Sequence, residues 1–536
     1  MQLAPSSSSS NLALLKDQHY SLFSLKALFK CVFIFGISFL LILFATFLQL
    51  HPLHHQFPYI ISRFQEKCPS DQSLSSSPPP PPLALLASIS NNTTSLQSNN
   101  NNIGNDNLHH AINVSDIVFC ISASVKTWKN KKPYMEAWWR PNVTRGYVFF
   151  EETPANKSHP WPSTLPPYKV HENVTKLKIY KKFPSPIQVR ILRSMVKTME
   201  EGDENVKWYV MTDDDTVMVI ENLVRVLSKY DYTKEMYVGM NSETVLSNAY
   251  FSFEMAFGGG GFALSYPLME ALVDNLEGCM GRYSHLVSSD HIVSACVADL
   301  GVDPTYERGF HQVDARGDVS GLLSAHPNVP FVSIHHMDNL DPIFPSKNRS
   351  ESINHLLRAA KLDHTRILQQ TICHHKPNFW TFSISWGYSL QIYESVFPRW
   401  LLKRPLETFQ PWHTKNTTPP YYMFNTRLPT RNPCEAPHAF FAESMEKVVK
   451  ANSGEDDDGG GDEDHIVTTF LRKSHRGFIA CPLVGHKSAE SITRVRVFSP
   501  ATINLKGRRE CCDVVQVGSS DAEIRYRACM RNEIIG

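Results

Sequence analysis

Three consecutive carboxylates, Asp213, Asp214 and Asp215, close the apolar run Trp208-Tyr209-Val210-Met211. Carboxylate oxygens suit hard divalent cations such as Mn²⁺ or Mg²⁺, and an unpaired cluster of them repels itself, so the triplet marks a place where positive charge should sit. A strand-to-helix turn capped by Asp or Thr216 is the plainer alternative. Three further segments could share the chemistry. The four glycines Gly258 to Gly261 allow backbone N–H groups at Gly259 and Gly260 to approach a sugar or phosphate with no Cβ in the way. Ser288-Ser289-Asp290 offers one carboxylate for proton transfer, or a cap for the helix expected over Ile292 to Leu300. His335-His336 offers imidazole nitrogens to a cation, although a strand-end histidine is more often structural.

The elements that must position these groups read as an α/β domain. Ile117-Val118-Phe119-Cys120-Ile121 forms a short buried strand ending at Ser122-Ala123-Ser124, followed by a helix around Pro133 to Trp139. Tyr147 to Phe150 is a second strand, and Leu177 to Tyr180 a possible third. Ile187, Ile191, Met195 and Met199 recur at fourfold spacing, the stripe of an amphipathic helix. The aspartate-bearing strand and a helix marked by Ile220, Leu223, Leu227 and Tyr230 come next. Such alternation predicts a doubly wound domain whose ligands bind beyond the carboxyl ends of its strands, where the triplet lies. Beyond a helix over 353–370, the segments Phe379 to Trp386, Ser389 to Val396, Arg494 to Phe498 and Cys512 to Val517 are β-prone. Residues 351–536 are therefore expected to form a β-rich, cysteine-containing appendage.

Taken in order, Trp208 to Thr216, Phe257 to Ser265, Ser288 to Asp290 and His335 to Leu340 resemble the Fringe-like glycosyltransferases of family 31, most closely their plant relatives of unassigned function. Four motifs in the right order over about 113–345 carry the resemblance, each being weak alone. The resemblance implies a GT-A-like (Rossmann-like) catalytic domain over 113–350, a UDP-sugar donor, Mn²⁺ or Mg²⁺, and inverting transfer of a hexose or N-acetylhexosamine to a glycan or glycoprotein hydroxyl. It implies Asp215 as first metal ligand, with Asp213 beside it and Asp213 and Asp214 holding metal-bound water or the ribose. It implies His336 completing the metal site, with His335 as fallback, and Asp290 as general base. Ser122, Ala123 and Ser124 are expected to wall the uracil. Where the family commonly has Pro-Asp-Asp this chain has Ser288-Ser289-Asp290, one carboxylate fewer.

The remaining sequence suggests a compartment. Cys31 to Leu48 is an uninterrupted run of 18 apolar or small residues, about 27 Å as a helix and close to a bilayer's hydrocarbon thickness. Lys16, Lys26 and Lys30 precede it and Arg63 is the first basic side chain after it, which predicts a cytosolic tail at 1–30, a signal anchor at 31–50 and everything downstream in a lumen, which the resemblance implies is that of the Golgi. A cleaved signal peptide would have a shorter apolar region and a better site than Phe47 to Leu50. Residues 51–112, rich in Ser, Pro and Asn, are expected to form a disordered stem. Asn91, Asn92, Asn113, Asn142, Asn156, Asn173, Asn348 and Asn416 open glycosylation sequons on the lumenal side. Eleven cysteines crowd toward the C-terminus, as disulfides in an oxidising compartment would.

A net charge of +1 and the lack of a basic, aromatic-interleaved patch speak against nucleic acid. The acidic, glycine-broken run Glu455 to Asp464 reads as a solvated loop. Two rival functions remain. A haloacid-dehalogenase-like phosphatase would use Asp213 as nucleophile, but its motif belongs at a domain's start rather than a hundred residues in. A lumenal carbohydrate- or nucleotide-binding protein without turnover would fit the missing carboxylate at Ser289.

Overall fold

The computed structural model describes residues 111–154, 160–413, 418–448, 464–482, 487–501 and 510–534. The expected cytosolic tail, anchor and nearly all of the stem lie outside these residues, as do most of the acidic run and the sequons at Asn91, Asn92, Asn156 and Asn416. Among the described residues, no helix is long and apolar enough to cross a membrane. The stem's last residue, Ile112, is already buried in the core.

A seven-stranded sheet carries the aspartates. Its strands are β1 (Ile117–Ser122), β2 (Arg145–Phe150), β3 (Tyr168–Val170), β4 (Trp208–Asp213), β5 (Tyr237–Gly239), β6 (Phe262–Ser265) and β7 (Pro304–Tyr306), in the order β3-β2-β1-β4-β6-β5-β7. The first four are parallel, with Ser122 opposite Asp213 across the β1–β4 pair. β6 runs antiparallel to both β4 and β5, so the sheet is mixed.

Alternation along the strands explains why both faces are covered. Ile117, Phe119, Ile121, Trp208 and Val210 enter one apolar cluster, while Val118, Cys120, Tyr209 and Met211 enter another. Strands apolar on both faces are what a sheet between two layers requires. Helices α1 (Val125–Trp138), α3 (Ile220–Leu227) and α6 (Arg349–Leu362) contribute to the first cluster. Helices α2 (Pro186–Glu200), α4 (Tyr266–Tyr283) and α5 (Ser289–Asp299) contribute to the second.

The strand expected at Leu177 to Tyr180 is instead a pair of 3₁₀ turns, Val174–Lys176 and Lys178–Lys182, and the third strand lies earlier, at β3. The helix expected over 353–370 starts and stops sooner. Asn348 and Glu351 form a reciprocal capping box at its start, and Leu368, in the left-handed region, lies beyond its end.

A second sheet of eight strands fills the C-terminal part: β8 (Gln370–His375), β9 (Trp380–Ser385), β10 (Ser389–Tyr393), β11 (His438–Val448), β12 (His465–Arg472), β13 (Arg494–Pro500), β14 (Glu510–Val517) and β15 (Asp521–Ala528), ordered β8-β9-β10-β11-β12-β13-β15-β14. Its two edge strands, β8 and β14, are joined by the Cys373–Cys512 disulfide, so the sheet curls back on itself. Three more disulfides, Cys279–Cys296, Cys434–Cys481 and Cys511–Cys529, lie among the described residues.

The expected appendage does not stand apart. One apolar cluster contains Phe119 and Val210 of the first sheet with Trp380, Phe382, Leu390, Phe440 and Ile524 of the second. A two-stranded pairing of Phe409–Pro411 with Ala315–Gly317 crosses the same boundary. Composition changes near residue 350, but the packing does not.

Candidate active site

The site is built at the carboxyl ends of β1 and β4. Asp214 N–H donates to Ser122 O at 3.0 Å, which turns the chain sharply after β4 and fans the three carboxylates apart. Thr216 fixes the turn: its Oγ1 accepts from Asp213 N–H at 3.2 Å and donates to Gly259 O at 2.7 Å. Trp138 Nε1, at the end of α1, donates to Thr216 O at 2.9 Å, holding that helix over the turn.

Asp215 is the centre of the arrangement. Its Oδ1 lies 3.0 Å from His335 Nε2, and its Oδ2 pairs with Lys131 of α1. Lys131 Nζ also lies 2.7 Å from Asp338 Oδ2, and Tyr134, one turn further along α1, donates its hydroxyl to the same carboxylate. Ligand atoms of Asp213, Asp215 and His335 all lie within 4.8 Å of one another, a spacing that one cation with carboxylate and imidazole ligands at about 2.1 Å could bridge. Two buried polar atoms there, Asp214 Oδ2 and His335 Nδ1, have no hydrogen-bond partner. The donor set is hard oxygen with one imidazole, which fits Mn²⁺ or Mg²⁺.

Burial would raise the Asp215 carboxyl, but His335 and Lys131 outweigh it and hold it well below the usual range. Asp214 is pushed up to about 7 by burial and then by the charge of Asp215. Asp213 is raised by desolvation and by three carboxylates, Asp215 foremost. Because 38% of its side chain opens to the cleft, like-charge crowding is the stronger of the two causes. Burial pulls His335 down, against the attraction of Asp215. A carboxylate cluster that resists full ionisation is one that a cation would relieve.

His336 does not join the group. Its backbone is left-handed, with φ of 58°, which sends consecutive imidazoles to different partners. His335 turns to Asp215, whereas His336 Nδ1 lies 3.2 Å from Asp314 Oδ1 and its ring packs on Trp412, centroids 4.5 Å apart. The imidazole expected from His336 is therefore supplied by His335.

The glycine-rich turn has a steric reason for two of its glycines. A Cβ at Gly259 would lie 2.1 Å from His335 Cε1, and one at Gly258 would lie 2.7 Å from Asp290 Oδ1. Gly260 N–H is committed to Gln312 Oε1 at 2.8 Å, so it is not free for a phosphate as expected. Gly261, with φ of +88°, turns the chain into β6. The loop is a spacer between the His335 ring and the Asp290 carboxylate.

Asp290, in the first turn of α5, accepts from Gly258 N–H through Oδ2 at 2.9 Å. It does not cap its helix, whose N-cap is Ser288. Its Oδ1 has only Ser289 Oγ at 3.5 Å. Burial raises its carboxyl to about 6, partly offset by the Gly258 and Ser289 contacts.

At the opposite wall, Ser122, Ala123 and Ser124 lie beside Asp213 and Asp214. Ala123 N–H is used by Phe149 O at 3.0 Å, while Ser124 Oγ donates to Glu151 Oε1 at 2.7 Å. Glu151 Oε2 accepts from Val125 N–H at 3.2 Å, tying β2 to the start of α1. Lys131, Tyr134 and Glu151 escaped the sequence reading. Lys131 stands in the run Lys129-Asn130-Lys131-Lys132, where nothing in the sequence distinguishes it from solvated neighbours.

With this geometry in view, residues 113–341 match the family model described as Fringe-like. Over that span the chain is similar to Fringe-like proteins. A second model, described as a protein of unknown function, DUF604, matches residues 247–512 and so runs across both sheets. Among curated proteins, it is 28% identical over 145 residues to a beta-1,3-glucosyltransferase of Homo sapiens and 29% identical over 147 residues to one of Mus musculus. Each match covers 27% of this chain and 28% of the relative's length.

Proposed function

We propose that this chain is a metal-dependent inverting glycosyltransferase that moves a hexose or N-acetylhexosamine from a UDP-sugar to a hydroxyl of a glycan or glycoprotein. The observation that carries the reading is the convergence of Asp213, Asp215 and His335 on one side of a glycine turn whose other side holds Asp290. Asp213, Asp215 and His335 would hold the cation, which when bound supplies positive charge against a departing diphosphate. Lys131, already on Asp215, adds a fixed positive charge beside it. Asp290, anchored through Oδ2, presents Oδ1 to the acceptor hydroxyl. As the new C–O bond forms on one face of the anomeric carbon and the bond to the diphosphate breaks on the other, the hydroxyl proton passes to Asp290. The beta-1,3-glucosyltransferase relatives favour a hexose donor.

The four disulfides and the exposure of Asn113, Asn142, Asn173 and Asn348 support a Golgi lumenal setting, with the apolar run at 31–48 as a type II anchor. A second reading, a binding protein without turnover, is favoured by one observation. Ser289, buried next to Asp290, stands where the family commonly has a carboxylate. Titration of the purified protein with UDP, with and without Mn²⁺, followed by assays of donor hydrolysis and transfer, separates the readings. Metal-dependent binding with turnover supports the transferase. Binding without turnover supports the second reading, and no binding of UDP at all rejects the transferase.

A further inference from the structure

Behind the irregular segment Phe310 to Asp314, which supports the glycine turn, lies a second cleft of about 340 Å³, near the lower end of the size range for small-ligand sites. Successive residues of this segment serve both sites: Gln312 faces the glycine turn, while His311 lines the cleft. The opposite wall comes from the C-terminal part of the chain, through Lys403 to Pro405 and Met423 to Asn425.

Three properties define what this cleft could hold. Its floor is polar and buried: Glu243 Oε1 pairs with His311 Nδ1 at 3.0 Å, His311 Nε2 meets His326 Nε2 at 3.0 Å, and Asn241 Oδ1 is buried with no hydrogen-bond partner. Its rim carries Arg308, Lys403 and Arg404, none of which has a carboxylate within 4 Å among the described residues. Beside that rim stands Trp400, 60% exposed, with the Arg404 guanidinium 4.7 Å from its ring. Unneutralised cations select an anion, an exposed indole offers a flat apolar face to the C–H side of a pyranose ring, and a buried unsatisfied amide oxygen seeks a hydroxyl donor.

We propose that this cleft binds an acidic saccharide, its carboxylate or sulfate ester held by Arg308, Lys403 and Arg404 and a ring hydroxyl donated to Asn241. The assignment to a saccharide rests on the transferase reading, for which the cleft would hold a charged unit of the acceptor glycan. The charge preference rests on the rim alone.

The test is calorimetric titration of the full-length protein, saturated with UDP and Mn²⁺, with four probes. These are a hexuronic acid trisaccharide, a sulfated neutral trisaccharide, the carboxyl-reduced uncharged trisaccharide and inorganic phosphate. One or both acidic trisaccharides should bind, and the uncharged one at least about tenfold more weakly. The variant R308Q/K403Q/R404Q should lose about tenfold in affinity for the acidic probe, roughly twofold to threefold per exposed charge, and W400A should lose affinity as well. UDP affinity in both variants should match the parent, which also verifies their folding. Equal binding of charged and uncharged trisaccharides overturns the proposal, as does binding of phosphate as tight as that of the trisaccharides. UDP binding without any saccharide binding overturns this proposal and leaves the transferase reading intact. Saccharide binding that obeys the rim variants in a protein that does not bind UDP supports the cleft and removes the transferase reading.

Discussion

At the scale of single residues, the histidine pair gives the sharpest distinction. His335 shares the Asp215 carboxylate and His336 the Asp314 carboxylate, although the two ring centroids lie only 3.8 Å apart. Replacing a direct ligand should cost more than replacing its neighbour. Asp215→Ala and His335→Ala are expected to abolish Mn²⁺-dependent UDP binding, and His336→Ala to weaken it by about ten- to a hundredfold; titration calorimetry ranks the three. Asp290 makes a separate prediction. A base raised to about 6 is protonated and idle below that value and ionised above it. The proposed transfer should therefore show kcat/KM rising with pH through about 6 to a plateau, with no fall assignable to Asp290. Asp290→Asn should lose about 10²- to 10⁴-fold in kcat while leaving UDP affinity unchanged.

At the scale of elements, the glycine turn and the second sheet each rest on one buried contact. A methyl group at Gly259 would displace the His335 ring, so Gly259→Ala should remove metal-dependent binding as effectively as loss of His335. Glu394, at the end of β10, is buried and accepts from His438 Nε2, Cys481 N, Ser488 Oγ and Ala489 N at 2.7 to 2.8 Å, with Arg476 as its cation at 3.2 Å. Burial opposes its ionisation, yet these donors hold its carboxyl at about 2, below its ordinary 4.5. The stability it contributes, ~3 kcal/mol from a shift of this size, is present above pH 4.5 and is lost as pH falls toward 2. Glu394→Gln should lower stability at neutral pH and flatten the acid limb of the unfolding curve, measured by circular dichroism.

The elements legible in the sequence were those apolar on both faces. β1 and β4 stood out because Ile117 to Ile121 and Trp208 to Met211 each enter one of two cores. β11 did not, since Glu446 and Lys447 break the alternation along its half-exposed end; β15 was missed although Ala522, Ile524 and Tyr526 alternate strictly with Glu523, Arg525 and Arg527. Leu177 to Tyr180 misled for the opposite reason: β-prone side chains lie there in 3₁₀ turns. In the candidate site, Asp213 to Asp215 and Asp290 were visible by type and spacing. The choice of His335 over His336 was not, because it depends on a single left-handed backbone angle. Lys131 depends on which face of α1 meets β4, which no local pattern encodes.

At the scale of the molecule, the shared core decides how the chain can be divided. A protein ended at residue 350 would lose Trp380, Phe382, Leu390 and Phe440 from the cluster that covers Phe119 and Val210. It should fail to yield a soluble monomer in size-exclusion chromatography, even though every residue of the candidate metal group is retained. The Cys373–Cys512 bridge closes a sequence separation of 139 residues. Replacing both cysteines with serine should lower the melting temperature through greater freedom of the unfolded chain, by up to about 5 kcal/mol in stability.

The curl that brings β8 against β14 has a consequence for behaviour at high concentration. A long open sheet presents unpaired amides and carbonyls along both margins, a template on which other molecules can add strand by strand. Here the margins are turned toward each other and bolted by a covalent link, which leaves a fibril little to grow from.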